Sequence, residues 1–218
     1  MKRIRRFVYQ GNVEYVENNA GRLDFREQEG LFQIELQNSD SVSLDYTRDY
    51  EFLPADFRIS RGVTVPLGGY LYQNMQASYN LGSQHMLSGS LSVQSGQFYG
   101  GTKRAVSLGT GRIEVSPQLA VEPSVSVNRI ELPFGKFTTT LVTDRTTFTI
   151  TPHMFVSALV QYSSASSTFS TNARFRWEYQ PGSELFVVYS DGRDTLPSGF
   201  PTLINRAFIV KFTKLFRI

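Results

Sequence analysis

Residues 41–52 read Ser41-Val42-Ser43-Leu44-Asp45-Tyr46-Thr47-Arg48-Asp49-Tyr50-Glu51-Phe52. Val42, Leu44, Tyr46, Tyr50 and Phe52 share one parity, while Ser41, Ser43, Asp45, Thr47, Asp49 and Glu51 share the other. Successive strand side chains point to opposite faces, so the stretch predicts a strand that is apolar on one face and strongly polar on the other. Arg48 is the single break in the apolar series.

The same alternation extends outward from this segment. Ala173, Phe175, Trp177 and Tyr179 alternate with Asn172, Arg174, Arg176 and Glu178. At the end of the chain, Phe208, Val210, Phe212, Phe216 and Ile218 share a parity opposed by Lys211, Thr213 and Arg217. Lys214 interrupts that apolar series, where a long side chain can snorkel to an interface. Helical periodicity is nearly absent, and glycine and β-branched residues are spread through every segment. The pattern predicts about twelve strands, at 5–17, 22–37, 40–53, 69–81, 86–99, 103–115, 119–131, 137–150, 154–163, 168–179, 184–191 and 203–218. Strands of soluble sheets average about five or six residues, whereas tilted strands that span a bilayer need ~9–11. Length therefore favours a membrane sheet.

The connections point the same way. Asn38-Ser39-Asp40, Gly82-Ser83-Gln84-His85, Ser116-Pro117-Gln118, Thr151-Pro152-His153 and Gln180-Pro181-Gly182-Ser183 read as tight turns on one rim. The opposite set tends to be longer, as at 53–68 and 191–202, with short exceptions at Asn18–Gly21 and Gly100-Gly101. Short turns on one side and longer loops on the other are the pattern of an outer-membrane barrel. Tyr50, Phe52, Tyr79, Tyr99, Tyr162, Trp177, Tyr179 and Phe216 fall near strand ends, as interfacial aromatics do. The fold expected is all-β: one domain over 1–218, an antiparallel up-and-down transmembrane β-barrel, complete or part of a larger barrel. A soluble carbohydrate-binding β-sandwich would also alternate, and stays open as the alternative.

Composition narrows the function. The chain has 218 residues, a net charge of +3, 40% hydrophobic and 13% aromatic residues, and no cysteine. The absence of cysteine excludes disulfides and thiolate metal sites. Basic residues cluster only at Lys2, Arg3, Arg5 and Arg6, so no concentrated face for nucleic acid is expected. No run approaches the ~20 apolar residues of a membrane helix, and no apolar signal-peptide core follows the basic start.

Two stretches carry a family resemblance. They are Ser170-Thr171-Asn172-Ala173-Arg174-Phe175-Arg176-Trp177-Glu178-Tyr179-Gln180-Pro181-Gly182-Ser183-Glu184-Leu185-Phe186-Val187-Val188-Tyr189 and Asn205-Arg206-Ala207-Phe208-Ile209-Val210-Lys211-Phe212-Thr213-Lys214-Leu215-Phe216-Arg217-Ile218. Both resemble the C-terminal barrel region of carbohydrate-binding family 9-like outer-membrane proteins. Upstream, 46–54 and 155–162 look similar to the same family. The resemblance implies an outer-membrane location, lipid as a partner, recognition of the last strand by the barrel-assembly machinery, and a signal peptide and sugar-binding sandwich upstream of an internal Met1. It supplies no catalytic motif.

Candidate chemistry is sparse. His85 and His153 fall in tight turns and read as solvated rather than catalytic. Asp45, Asp49 and Glu51 share a strand face that suits either a cation site or a hydrated wall. Asp191, Arg193 and Asp194 read as a solvated loop. Gly96, Gly100 and Gly101 lack the Lys-Ser/Thr of a phosphate loop and read as turn and bulge residues; Gly109, Gly111 and Pro123 mark bends or ladder defects. No enzyme activity, cofactor or metal is expected. The most suggestive set is Arg145, Arg174, Arg176, Glu178, Lys211 and Arg217, with Glu122 nearby, all on the polar parity. It reads as a lumen-facing basic stripe favouring an anionic solute, or as an Arg–Glu network bracing the wall. The function expected is passage of a solute or polymer, such as a carbohydrate or small anion, across the outer membrane. The rival is a barrel that anchors an upstream domain.

Overall fold

A computed structural model describes residues 3–85 and 87–216. The chain is all-β. Its strands are β1 (Ile4–Glu17), β2 (Leu23–Leu36), β3 (Ser41–Leu53), β4 (Phe57–Ser60), β5 (Val63–Val65), β6 (Gly68–Leu81), β7 (Gly89–Phe98), β8 (Gly101–Thr110), β9 (Ile113–Glu114), β10 (Leu119–Leu132), β11 (Gly135–Thr151), β12 (Met154–Ser163), β13 (Thr168–Gln180), β14 (Ser183–Asp194) and β15 (Thr202–Thr213). The sheet order is β1-β2-β3-β6-β7-β8-β10-β11-β12-β13-β14-β15, with β9 paired to β10 and β4 to β5 alone. Strands adjacent in this order are thus also consecutive long strands in the chain. Among the described residues β1 and β15 each have one ladder partner, so the antiparallel sheet is established but its closure is not.

Four expectations are corrected. The strand expected at 103–115 stops at Thr110, and Ile113–Glu114 is a separate short strand against Ala120 and Val121. The loop expected at 53–68 contains the β4–β5 hairpin. Connection length does not divide cleanly between the rims: residues 99–100 and 133–134 join their strands directly, while 82–88 is longer. Gly96 lies within β7 rather than in a turn.

The chain separates into two compact units: residues up to Leu108 with Ser126–Thr139, and Gly109–Val125 with Thr140 onward. In the first unit, one face carries the ladder rows Phe7–Ile34–Val42–Tyr79–Leu91 and Tyr9–Phe32–Leu44–Ala77–Val93. Tyr9 is 77% and Val93 49% exposed, so this apolar face is open among the described residues. The opposite face is polar until its end, where Leu53, Val63, Val65, Tyr72, Tyr99, Ile130 and Leu132 form a buried cluster. β4 and β5 are too short to hold themselves together, and burying Val63 and Val65 against this cluster fixes them. The hydroxyls of Tyr72 (3.2 Å) and Tyr99 (2.6 Å) donate to Glu51 beneath it.

One turn network ties two hairpins of this unit together. Asp40, 3% exposed, accepts from the Gly82 backbone N–H (2.8 Å), the Tyr79 hydroxyl (2.9 Å) and Asn38 Nδ2 (2.7 Å), and lies 2.8 Å from His85 Nε2. Donors to the ionised form, led by the Gly82 N–H, hold its carboxyl down at about 2. A carboxyl lowered in the folded state stabilises above its unfolded value of ~3.9, and that contribution fades as pH falls through the folded value. We expect Asp40→Asn to lower the urea midpoint at pH 6, and the gap to wild type to close between about pH 4 and pH 2. A gap constant across that range would contradict the assignment. His85 is therefore a clasp residue and not merely a solvated one.

In the second unit the apolar face is arranged in rows. Phe148, Val156, Phe175, Val187 and Val210 form one, and Thr146, Ala158, Ala173, Tyr189 and Phe208 the next. Toward one end lie Met154, Trp177, Leu185 and Phe212, with Tyr179 stacked on Phe212 at 5.4 Å. Toward the other end lies the Tyr162–Phe169 pair. The Gln180–Ser183 turn needs Gly182 at φ 78, the left-handed position that follows a turn proline.

Candidate functional site

The polar face of the second unit collects the basic residues. Register sets Arg145 beside Leu159 and Leu159 beside Asn172; it sets Thr147 beside Ser157 and Ser157 beside Arg174. These side chains with Phe155 line a cavity of about 400 Å³. Among the described residues neither Arg145 nor Arg174 forms an ion pair. The Arg174 guanidinium lies 5.9 Å from the Phe155 ring centroid, at the outer reach of a cation–π contact. Two guanidiniums, the amide of Asn172 and two hydroxyls thus surround one space. A guanidinium offers five donors in a planar fork that suits carboxylate or phosphate oxygens.

The remaining residues of the expected stripe have other partners. Arg176 is ion-paired with Glu184 and its guanidinium lies 5.8 Å from the Phe186 ring. Glu178 lies 3.7 Å from His153 Nδ1 and accepts the Gly182 N–H at 3.3 Å. Lys211 is set beside Phe186 on the same face. Glu122 lies on β10, two residues from Ser124, whose hydroxyl meets Thr143 two residues before Arg145. Arg217 lies outside the described residues. The structure thus brings Arg145 and Arg174 together and assigns Arg176 and Glu178 to structural contacts.

Asp191, Arg193 and Asp194, expected in a solvated loop, are corrected as well. β14 continues through them, and Asp191 is 6% exposed. It accepts from Arg193 Nε at 2.6 Å, Arg206 at 3.2 Å and the Tyr189 hydroxyl at 3.2 Å. A sequence reader sees Arg193 two residues from Asp191; nothing local shows that Arg206 is its ladder partner. Among the described residues no group of three or more His, Asp or Glu side chains is placed to hold a metal ion.

Comparison of the chain with protein-family models, with curated proteins and with solved structures finds no match.

Proposed function

We propose that this chain forms the wall of an outer-membrane β-barrel and mediates passage of an anionic solute past Arg145 and Arg174. The observation that carries the reading is the apolar face of the second unit, exposed among the described residues, with Trp177, Tyr179 and Phe212 at one end, Tyr162 and Phe169 beside the paired Asp191, Arg193 and Arg206 at the other, and a charged face behind it. Phe169 to Tyr179 spans ten residue steps of β13, about 34 Å at ~3.4 Å each. At the ~45° tilt of a spanning strand that is ~24 Å of height between the outermost aromatics, with the paired charges Asp191, Arg193 and Arg206 confined to the two rows at the Phe169 end, against the ~25 Å apolar band of membrane barrels. In water such a face would be an aggregation hazard; in lipid it is a match. The polar face then lines the passage, and guanidiniums without a carboxylate partner favour anions there.

The test is conductance. The chain folded into detergent and inserted in planar bilayers should pass current with an anion-favouring reversal potential in a KCl gradient. Arg145→Glu with Arg174→Glu should shift that preference toward cations several-fold. The β4–β5 hairpin packed on the polar face favours a second reading, an occluded barrel that anchors another domain. Heat-dependent gel mobility without conductance would select it. A chain that stays dispersed without detergent would overturn both.

A further inference from the structure

The polar face of the first unit has the opposite charge. Its ladder rows are Gln10–Leu31–Asp45–Gln76–Gln94, then Asn12–Glu29–Thr47–Asn74–Gly96, then Glu14–Glu27–Asp49–Tyr72. Five carboxylates occupy three adjacent rows, and their register partners from β1 to β7 include no Lys or Arg. Glu14, Glu27 and Asp49 stand directly opposite one another on neighbouring strands, where like charges repel. The nearest basic residue along the face at one end, Arg6, is taken by Glu35 at 2.7 Å. Lys103, on β8, lies over the Phe98 ring at 5.7 Å.

A second observation points to a ligand. Asp49 and Asn74 are each 8% exposed, and among the described residues Oδ1 of each is buried without a hydrogen-bond partner. A buried acceptor left unpaired carries its full desolvation penalty. Asn74 lines, with Glu29, Asp45, Thr47, Gln76 and Gln94, a space of about 200 Å³. Gly96 lets the neighbouring strand approach closely at this row: a Cβ there would clash with the Gln73 carbonyl oxygen, Asn74 Oδ1 and Asn74 Cα. The carboxylates, hydroxyl and amides around this space offer oxygen ligands to a hard cation. Its volume equals roughly six or seven waters at ~30 Å³ each, and the carboxylates do not converge on one point.

We propose that this space binds one hydrated divalent cation, Mg²⁺ with its water shell, held through water by Glu29, Asp45 and Asn74. Mg²⁺ gives up its waters reluctantly and is the cation suited to such outer-sphere contacts. The site stands whether or not the chain conducts a solute.

The experiment is thermal unfolding of the full chain in micelles, followed by circular dichroism. For a Kd of ~1 mM, about 10 mM MgCl₂ should raise the midpoint by roughly 3–6 °C, and NaCl at matched ionic strength should not. The double variant Glu29→Gln, Asp45→Asn should lose most of the Mg²⁺ shift and be more stable than wild type without divalents. The exposed control Glu131→Gln should keep the shift. Equal shifts from NaCl, an unchanged Mg²⁺ shift in the double variant, or no Mg²⁺ shift in wild type would each overturn the site. Should the double variant not fold, equilibrium dialysis of Mg²⁺ against wild type decides it: about one ion per chain at millimolar concentration supports the site, and none overturns it.

Discussion

Phe175→Arg should destabilise the chain in lipid by roughly 2–4 kcal/mol, the cost of a guanidinium on the lipid face at mid-depth. Phe175 sits six residues after Phe169 and four before Tyr179 on β13, and its ladder partners are Val156 and Val187. Every immediate neighbour across the ladder is apolar, so an arginine there has no protein acceptor beside it. Gln161→Lys is the matched control. Gln161 lies in the polar row between Thr143 and Ser170, and a charge facing water there should move stability by less than about 0.5 kcal/mol. Urea unfolding in lipid vesicles measures both. Equal costs for the two variants would mean that the apolar face does not meet lipid, and the membrane proposal would fall with it.

Gly101→Ala should cost about 3 kcal/mol, the upper part of the range for forced overpacking. A Cβ at Gly101 would lie 2.0 Å from the Glu131 carbonyl oxygen and 2.7 Å from Leu132 Cα. Both are backbone atoms of a strand inside the sheet, so no side chain can rotate away and the strands must part. The damage falls next to Tyr99 and Leu132, two members of the buried cluster that holds the β4–β5 hairpin. Gly30→Ala separates this effect from the loss of a glycine as such. Gly30 is also mid-strand, but a Cβ there meets nothing within 4 Å, so the change should be neutral or stabilising by up to about 1 kcal/mol. Comparable losses at both positions would refute the close-approach account.

The consequences for function differ between the two units. In the second, the proposed solute preference rests on two arginines without a carboxylate partner among the described residues, so their replacement should alter selectivity more than stability. In the first, the proposed cation site makes stability depend on Mg²⁺, because Glu29 and Asp45 of adjacent rows share a space with no basic residue lining it.

Much of the fold was legible in the sequence because alternation is a local property. Parity assigns Phe175 and Arg174 to opposite faces without knowledge of any neighbour, and all twelve long strands fall near their expected positions. The short hairpin was not legible: Val63 and Val65 alternate over three residues, too few to stand out from a loop, and only their burial against Tyr72 and Tyr99 orders them. Parity also put Arg145, Arg174 and Arg176 on one face, but it is register that decides their state. Glu184 meets Arg176, while Leu159 and Ser157 are set beside Arg145 and Arg174. The same holds for Asp40, whose donors Tyr79, Gly82 and His85 are 39–45 residues away, and for the row Glu14–Glu27–Asp49. The sequence by itself determined which face each side chain takes, since the strand repeat sets that one residue at a time. The tertiary structure alone decided which charges are paired, buried or left facing one another, since that depends on strands brought together from distant parts of the chain.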